Sequence, residues 1–258
     1  MAQPSAYAAS QGSRLIHFLR EQGVADVDIT HRNFADKLGQ LIDLSESISL
    51  SEALGKLKKT TVTELDNSNN SCVKSQFLDT RKTLIEFIIK SFVTHTGAQP
   101  FNLPQLNQQS LQDPAASFEL YQRFYSLHQS NMDFRIIKLR GHIRQTLSNY
   151  SQSLAQLAAL DTALGNTLSS HSRKLFAAIP RLLKKRFLYL CKEQLQTAAD
   201  AGDSDLSALW TQPGGWLAQY HTEMQGLLLA ELEVRLQPVL GLVEAFLAEA
   251  LDTEETST

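Results

Sequence analysis

In the stretch SFELYQRFYSLHQSNMDFRIIKLRGHIRQTLSNY, residues 117–150, the apolar and aromatic positions Phe118, Tyr121, Tyr125, His128, Met132, Leu139, Ile143 and Leu147 recur at steps of three, four and seven. On a straight α-helix such steps return to one face. The spacing predicts a single helix of roughly thirty residues, about 45 Å long. After Ser148-Asn149-Tyr150-Ser151, the residues Leu154, Leu157, Asp161, Leu164, Leu168, His171 and Leu175 step as heptad a and d positions do, with Asp161 and His171 breaking an otherwise apolar seam. Two long helices joined so briefly should lie antiparallel, as a helical hairpin spanning about 114–195.

Proline punctuates the C-terminal part of the chain. Pro180 and Pro238 each stand inside an apolar pattern that continues on both sides, Leu175-Phe176-Ile179 to Leu182-Leu183 and Leu232-Leu236 to Val239-Leu240. A proline inside a helix removes a backbone donor and crowds the preceding turn, so a kink or brief break is expected at both. Between them, Thr197 to Gly215 reads as a loop, and C-terminal helices are expected over about 214–252. Upstream, Phe77 to Val93 carries Leu84, Ile85, Phe87, Ile88, Ile89 and Phe92, apolar nearly all round, and should be buried on several sides. The Gln- and Pro-containing run Gly97 to Asp113 ends that helix, and Pro114 suits the first turn of the next.

The N-terminal part reads as a compact short-helix unit over residues 1–57, with helices near Ser13, Thr30 and Ser49. A flexible linker over 58–75, centred on Asp66-Asn67-Ser68-Asn69-Asn70-Ser71, separates it from a bundle over 76–258. No apolar-polar alternation bounded by hairpin turns appears. The expected fold is therefore all-α: an elongated helical bundle built on a long antiparallel hairpin, with a small N-terminal helical unit.

Composition narrows the function classes. The longest apolar runs, such as Leu227-Leu228-Leu229-Ala230, are far shorter than the ~20 residues of a membrane span. The start, Met1 to Gly12, has neither the basic residues nor the apolar stretch of a secretory signal, so the cytoplasm is the expected compartment. Cys72 and Cys191 are far apart and form no metal-ligand spacing, and the seven histidines are dispersed with no HExxH. No GxGxxG, Walker-type or GxSxG motif occurs, and Pro213-Gly214-Gly215-Trp216 reads as a helix start. Neither a catalytic residue, a metal site nor a cofactor site is expected.

Charge is unevenly spread. The net value is -3, yet Arg123 to Arg186 holds eleven basic residues against Asp133 and Asp161, a local +9, and the rest of the chain carries -12. Beyond Arg235 there is no Lys or Arg, only Glu244, Glu249, Asp252, Glu254 and Glu255. The cluster Arg173, Lys174, Arg181, Lys184, Lys185 and Arg186, interleaved with Leu182, Leu183, Phe187 and Tyr189, is the candidate interaction surface. A basic amphipathic helix can take an acidic partner helix, an anionic lipid surface or nucleic acid. The plainer alternative is a solvated face whose charges pair with acids of the same bundle, Glu244 or Glu249 being the expected partners.

The chain also resembles a family of proteobacterial proteins, the domain of unknown function 3348 family. The resemblance is carried by Arg14-Leu15-Ile16, Phe34-Ala35-Asp36-Lys37-Leu38, Ile48-Ser49-Leu50-Ser51, Leu157-Ala158-Ala159-Leu160-Asp161, Ile179-Pro180 and Leu229-Ala230-Glu231-Leu232 with Arg235-Leu236-Gln237-Pro238-Val239. It brings no activity with it. Genes of that family often lie beside those of a proton-channel-like inner-membrane protein and an OmpA-like, peptidoglycan-binding protein, so the resemblance implies a cytoplasmic accessory of an envelope-spanning membrane complex, at the inner face of the membrane. The leading expectation is a non-enzymatic scaffold or adaptor with a protein partner. The alternative is a sequence-nonspecific nucleic-acid-associated protein using the same basic hairpin, and an enzyme of unfamiliar mechanism ranks last. Oligomeric state has no signature in the sequence.

Overall fold

The computed structural model describes residues 47, 48, 50–52, 55, 70–93, 101–201 and 209–256. Among them every long element is a helix and there is no strand. We label them α1 (Asn70–Ser91), α2 (Pro114–Tyr150), α3 (Gln152–Thr167), α4 (Ser169–Ala201) and α5 (Trp216–Thr256), with a 3-10 turn at Gln108–Gln112 before α2. The all-α expectation is met. Most of the expected N-terminal unit and of the linker lies outside the described residues, although Ser47, Ile48, Leu50, Ser51, Glu52 and Gly55 are helical. Helix α1 starts at Asn70, within the stretch read as a linker.

Local chemistry explains the ends of α2 and α3. Asp113 Oδ1 accepts the Ala115 and Ala116 amides at 3.1 and 3.0 Å, and Pro114, which has no amide hydrogen to leave unpaired, takes the first helical position. At the far end Ser151 turns extended (φ -152°, ψ 164°), stopping α2, and its hydroxyl accepts from Leu154 N to open α3. The second arm breaks at Leu168, between α3 and α4, not at Pro180. Gly165, Asn166, Thr167, Ser169 and Ser170 surround that break, residues that favour caps and turns over helix interiors.

Both prolines sit inside unbroken helices, so the expectation of a break there is corrected. Pro180 cannot donate to the carbonyl of Phe176, four residues earlier. Gln129 of α2 supplies the missing donor, its Nε2 lying 3.1 Å from Phe176 O. A side chain from the facing arm thus satisfies the carbonyl that proline orphans.

The described chain forms two compact units, and α2, α4 and α5 each contribute residues to both. Unit 1 comprises residues 101–125 and 179–234 of the described chain with Phe92 and Val93, and unit 2 comprises α1, 126–178 and 235–256. In unit 1, Phe118 and Tyr121 of α2 lie against Phe187 of α4 with ring centroids 5.8 and 5.4 Å apart, and Phe187 in turn meets Tyr220 and Trp216 of α5 at 5.2 and 5.8 Å. Trp210 stacks on Trp216 at 5.7 Å through a tight turn. There Gly214 has φ +88°, and any Cβ on Gly215 would collide with the carbonyl oxygens of Leu209 and Trp210. Two successive glycines are what that turn requires, and the stretch is indeed a helix start.

In unit 2 the antiparallel hairpin is fixed by contacts whose partners move in opposite directions along the chain: Arg144 and Arg140 to Asp161, then Gln129 to Phe176. Tyr150 packs on Phe246 of α5 at 4.9 Å. Helix α1 buries one face only, through Val73, Phe77, Leu84 and Ile88, while Ile89 is exposed. Its apolar surround was expected to be covered on several sides, and it is not. The heptad seam of the second arm is also corrected: Leu154 is buried, but Leu157 and Leu164 are half-buried and Leu175 is 58% exposed, while Ala155, Ala158, Phe176 and Ile179 are buried instead.

Candidate functional site

The basic arm follows from the spacing of its apolar residues. In unit 1, Ile179, Leu183, Phe187 and Leu190 are buried at steps of four, four and three. Those steps leave Arg181, Lys185 and Lys192 exposed on the opposite side, in one line at intervals of four and seven, with Lys184 half-buried beside them. Among the described residues no carboxylate pairs with any of these four. Lys192 was missed by the sequence reading, although its step from Lys185 was visible there. Arg173 and Lys174 belong to unit 2, where both are exposed beside Leu175 and unpaired in the same sense.

Arg186 differs from its neighbours. Its Nε and Nη2 donate to Glu223 Oε2 and Oε1 of α5 at 2.8 and 2.6 Å, a bidentate pair, and Gln219 Nε2 holds the same carboxylate at 2.9 Å. Hydrogen bonding to Glu223 raises the guanidinium's pKa above its ordinary value. Arg186 therefore ties α4 to α5 within unit 1. The acid that reaches the arm is Glu223, whereas Glu249 accepts from Ser153 Oγ at 2.5 Å. Tyr189, 54% exposed, donates to Glu193 Oε1 at 2.7 Å and lies under the Arg186 guanidinium at 5.8 Å.

Behind the arm is a buried group of polar side chains. The Tyr121 hydroxyl donates to Pro104 O at 3.1 Å and lies 3.0 Å from His221 Nε2. Tyr125 OH donates to Glu231, a fully buried carboxylate, at 2.8 Å. Burial raises the pKa values of Tyr121 and Tyr220 and takes the Cys191 thiol up to about 12 and His221 down to about 4. These shifts keep the two phenols, the thiol and the imidazole neutral near pH 7. The indole nitrogens of Trp210 and Trp216 and the Tyr220 hydroxyl are buried with no hydrogen-bond partner among the described residues, a cost that the surrounding ring contacts must offset.

In unit 2 the polar anchor is ionic. Asp161 accepts from Arg140 Nε at 2.8 Å and Arg144 Nε at 2.6 Å, and its backbone oxygen takes Arg144 Nη2 at 2.9 Å. Burial pushes the Asp161 carboxyl up, but the two guanidiniums outweigh it and hold its pKa below the ordinary value. Gly165 leaves room for them, since a Cβ there would meet the Arg144 guanidinium at 3.2 Å. Asp133 pairs with Arg235, whose guanidinium stacks on Phe176 at 3.8 Å. His128 Nε2 lies 3.0 Å from Ser91 Oγ with its ring against Phe87 at 5.0 Å, and burial lowers its pKa to about 4. Among the described residues no three His, Cys, Asp or Glu side chains gather as metal ligands would.

Long amphipathic helices, a line of unpaired cations on one outer face and ion pairs used as internal ties define an all-α helical bundle protein. The chain belongs to the DUF3348 family: the model of that family, described as "Protein of unknown function (DUF3348)", matches residues 1–248. No curated protein and no solved structure matches the chain. Among the described residues no helix is long and apolar enough to cross a membrane.

Proposed function

We propose that the protein is a non-enzymatic adaptor that docks an acidic protein segment on the outer face of α4, as a cytoplasmic accessory of an envelope-spanning membrane complex. The observation that carries the docking face is the line Arg181, Lys185 and Lys192, with Lys184 beside it, none of them paired with a carboxylate among the described residues. The neighbouring Arg186 already has its acid, so on this face of α4 Arg181, Lys184, Lys185 and Lys192 are left to meet an external one. Their assignment to a membrane complex rests on the family resemblance alone.

Such a face acts mainly on association rate and orientation, since each exposed charge pair contributes only ~0-1 kcal/mol and is screened by salt. The test is photo-crosslinking in the native host from a reactive residue at Leu188, which lies between Lys185 and Lys192 on the same helical face. The expected product is a covalent adduct with an acidic segment of a membrane protein, lost on reversal of the four charges. Adducts that disappear with nuclease would replace this reading with nucleic-acid binding, and adducts indifferent to the charge reversal would end it.

A further inference from the structure

A second surface lies in unit 2, apart from the basic arm, and does not depend on the adaptor reading. Helices α1 and α2 enclose an open groove of about 700 Å³, with Asp79 and Thr83 on one wall and Asn131, Phe134, Arg135 and Lys138 on the other. Phe134 on that wall is 69% exposed. The Asn131 Oδ1 atom is buried with no hydrogen-bond partner among the described residues. Neither Arg135 nor Lys138 meets a carboxylate among them. An exposed aromatic ring beside two unpaired cations in a groove offers the surface that an apolar, acidic helix would cover.

We infer that this groove receives the acidic C-terminal helix of a second copy of the chain. The occupant must bring apolar side chains together with carboxylates and few cations of its own. The end of α5 has that chemistry: Glu244, Ala248 and Leu251 are exposed at steps of four and three on one helical face, and Leu251 is 63% exposed. After Arg235 the sequence contains five acids and no base.

A chain's own tail does not reach its own groove. Asp133 pairs with Arg235, and Tyr150 packs on Phe246, so α5 runs beside α2 in the same direction within unit 2. Glu249 is held by Ser153, already past the end of α2. Lys138 in the groove wall lies twelve residues back from Tyr150, about 18 Å at the helical rise, and Leu251 lies farther on in the opposite direction. The complementary surfaces of one molecule are thus held apart, which leaves another molecule's tail as the occupant. A two-fold pair would use the contact twice, which helps a small groove approach the ~800 Å² per partner of stable interfaces.

Sedimentation velocity of the full chain at low salt tests this. The expected result is a concentration-dependent shift from the 28.8 kDa monomer to twice that mass. The dimer should vanish in Phe134→Ser/Lys138→Glu and, separately, in Leu251→Ser/Glu244→Lys, with helical circular dichroism unchanged in both. Because either variant could act indirectly, a mixing experiment completes the test. A copy with Arg135→Glu/Lys138→Glu and a copy with Glu244→Lys/Ala248→Lys should each be monomeric, yet associate when mixed. A chain that stays monomeric at every concentration, or a dimer indifferent to these substitutions, would overturn the inference.

Discussion

Unit 1 and unit 2 are built from the same long helices but are cross-tied by different chemistry. In unit 1 the helices meet through rings, Phe187 touching Phe118, Tyr121, Tyr220 and Trp216, and the buried hydroxyls and imidazole between them are neutral. In unit 2 apolar packing such as Tyr150 on Phe246 is joined by guanidinium–carboxylate contacts, Asp161 with Arg140 and Arg144, and Asp133 with Arg235. The lesson concerns charge. A basic run in the sequence has two fates in one protein: in unit 2 the arginines of α2 facing α3 are consumed as internal ties, while along α4 in unit 1 only Arg186 is, leaving its neighbours open.

Predictions that break or sharpen this contrast can be ranked by size. Phe187→Ala removes the ring at the centre of unit 1 and should cost about 4 kcal/mol of unfolding free energy in urea, with little dependence on salt. Asp161→Ala leaves two half-buried guanidiniums without their carboxylate and should cost about 3 kcal/mol. Its effect in hydrogen exchange should fall on amides of α2 and α3 in unit 2, and an effect spread evenly over both units would erase the contrast.

Acid should weaken both units through their histidines. Burial lowers His128 and His221 to about 4, against about 6.5 in the unfolded chain, so the folded state prefers the neutral rings. Below pH 6.5 the unfolded chain binds protons that the folded one refuses, and stability falls until pH reaches about 4. The loss should approach ~3 kcal/mol for fully buried His128 and be smaller for half-buried His221. His128→Asn should flatten part of this slope in urea titrations at pH 7 and pH 4.5. Asp161 adds to the loss only lower down, because a carboxyl with a depressed folded pKa stabilises above its unfolded pKa and ceases to do so as pH falls through the folded one. The smallest structural effect is expected from Gln129→Leu. It strips the donor from Phe176 O beneath Pro180 and should cost about 1 kcal/mol, while the double variant Gln129→Leu/Pro180→Ala should recover most of it.

How much of the structure was legible in the sequence depends on range. The stripe Phe118, Tyr121, Tyr125, His128, Met132, Leu139, Ile143 and Leu147 was readable because helical periodicity is local, and all eight residues are buried. The breaks allowed for at the prolines are absent, and at Pro180 periodicity could not show that another helix supplies a donor, Gln129, to Phe176 O. The second arm leaves the heptad already in α3, where Ala155 and Ala158 are buried and the seam residues Leu157 and Leu164 only half-buried, before Leu168 ends that helix. Asp161 stood out in the sequence as a flaw in an apolar seam, and its two arginines, 17 and 21 residues earlier, explain it. Arg186 and Glu223 are 37 residues apart, and Tyr125 and Glu231 are 106 apart. No spacing rule connects such pairs, so the basic cluster could be found in the sequence, but which of its members were already paired could not.

The central claim is that Arg181, Lys184, Lys185 and Lys192 serve a partner, whereas Arg186 serves the fold. One paired measurement tests it: thermal unfolding, together with crosslinking capture of the proposed membrane-protein partner, for the quadruple charge reversal to Glu and for Arg186→Glu. The account predicts that the quadruple variant melts like the parent and loses capture, while Arg186→Glu melts lower because it sets a second carboxylate against Glu223. A quadruple variant that unfolds at markedly lower temperature, or that still captures its partner, would contradict it.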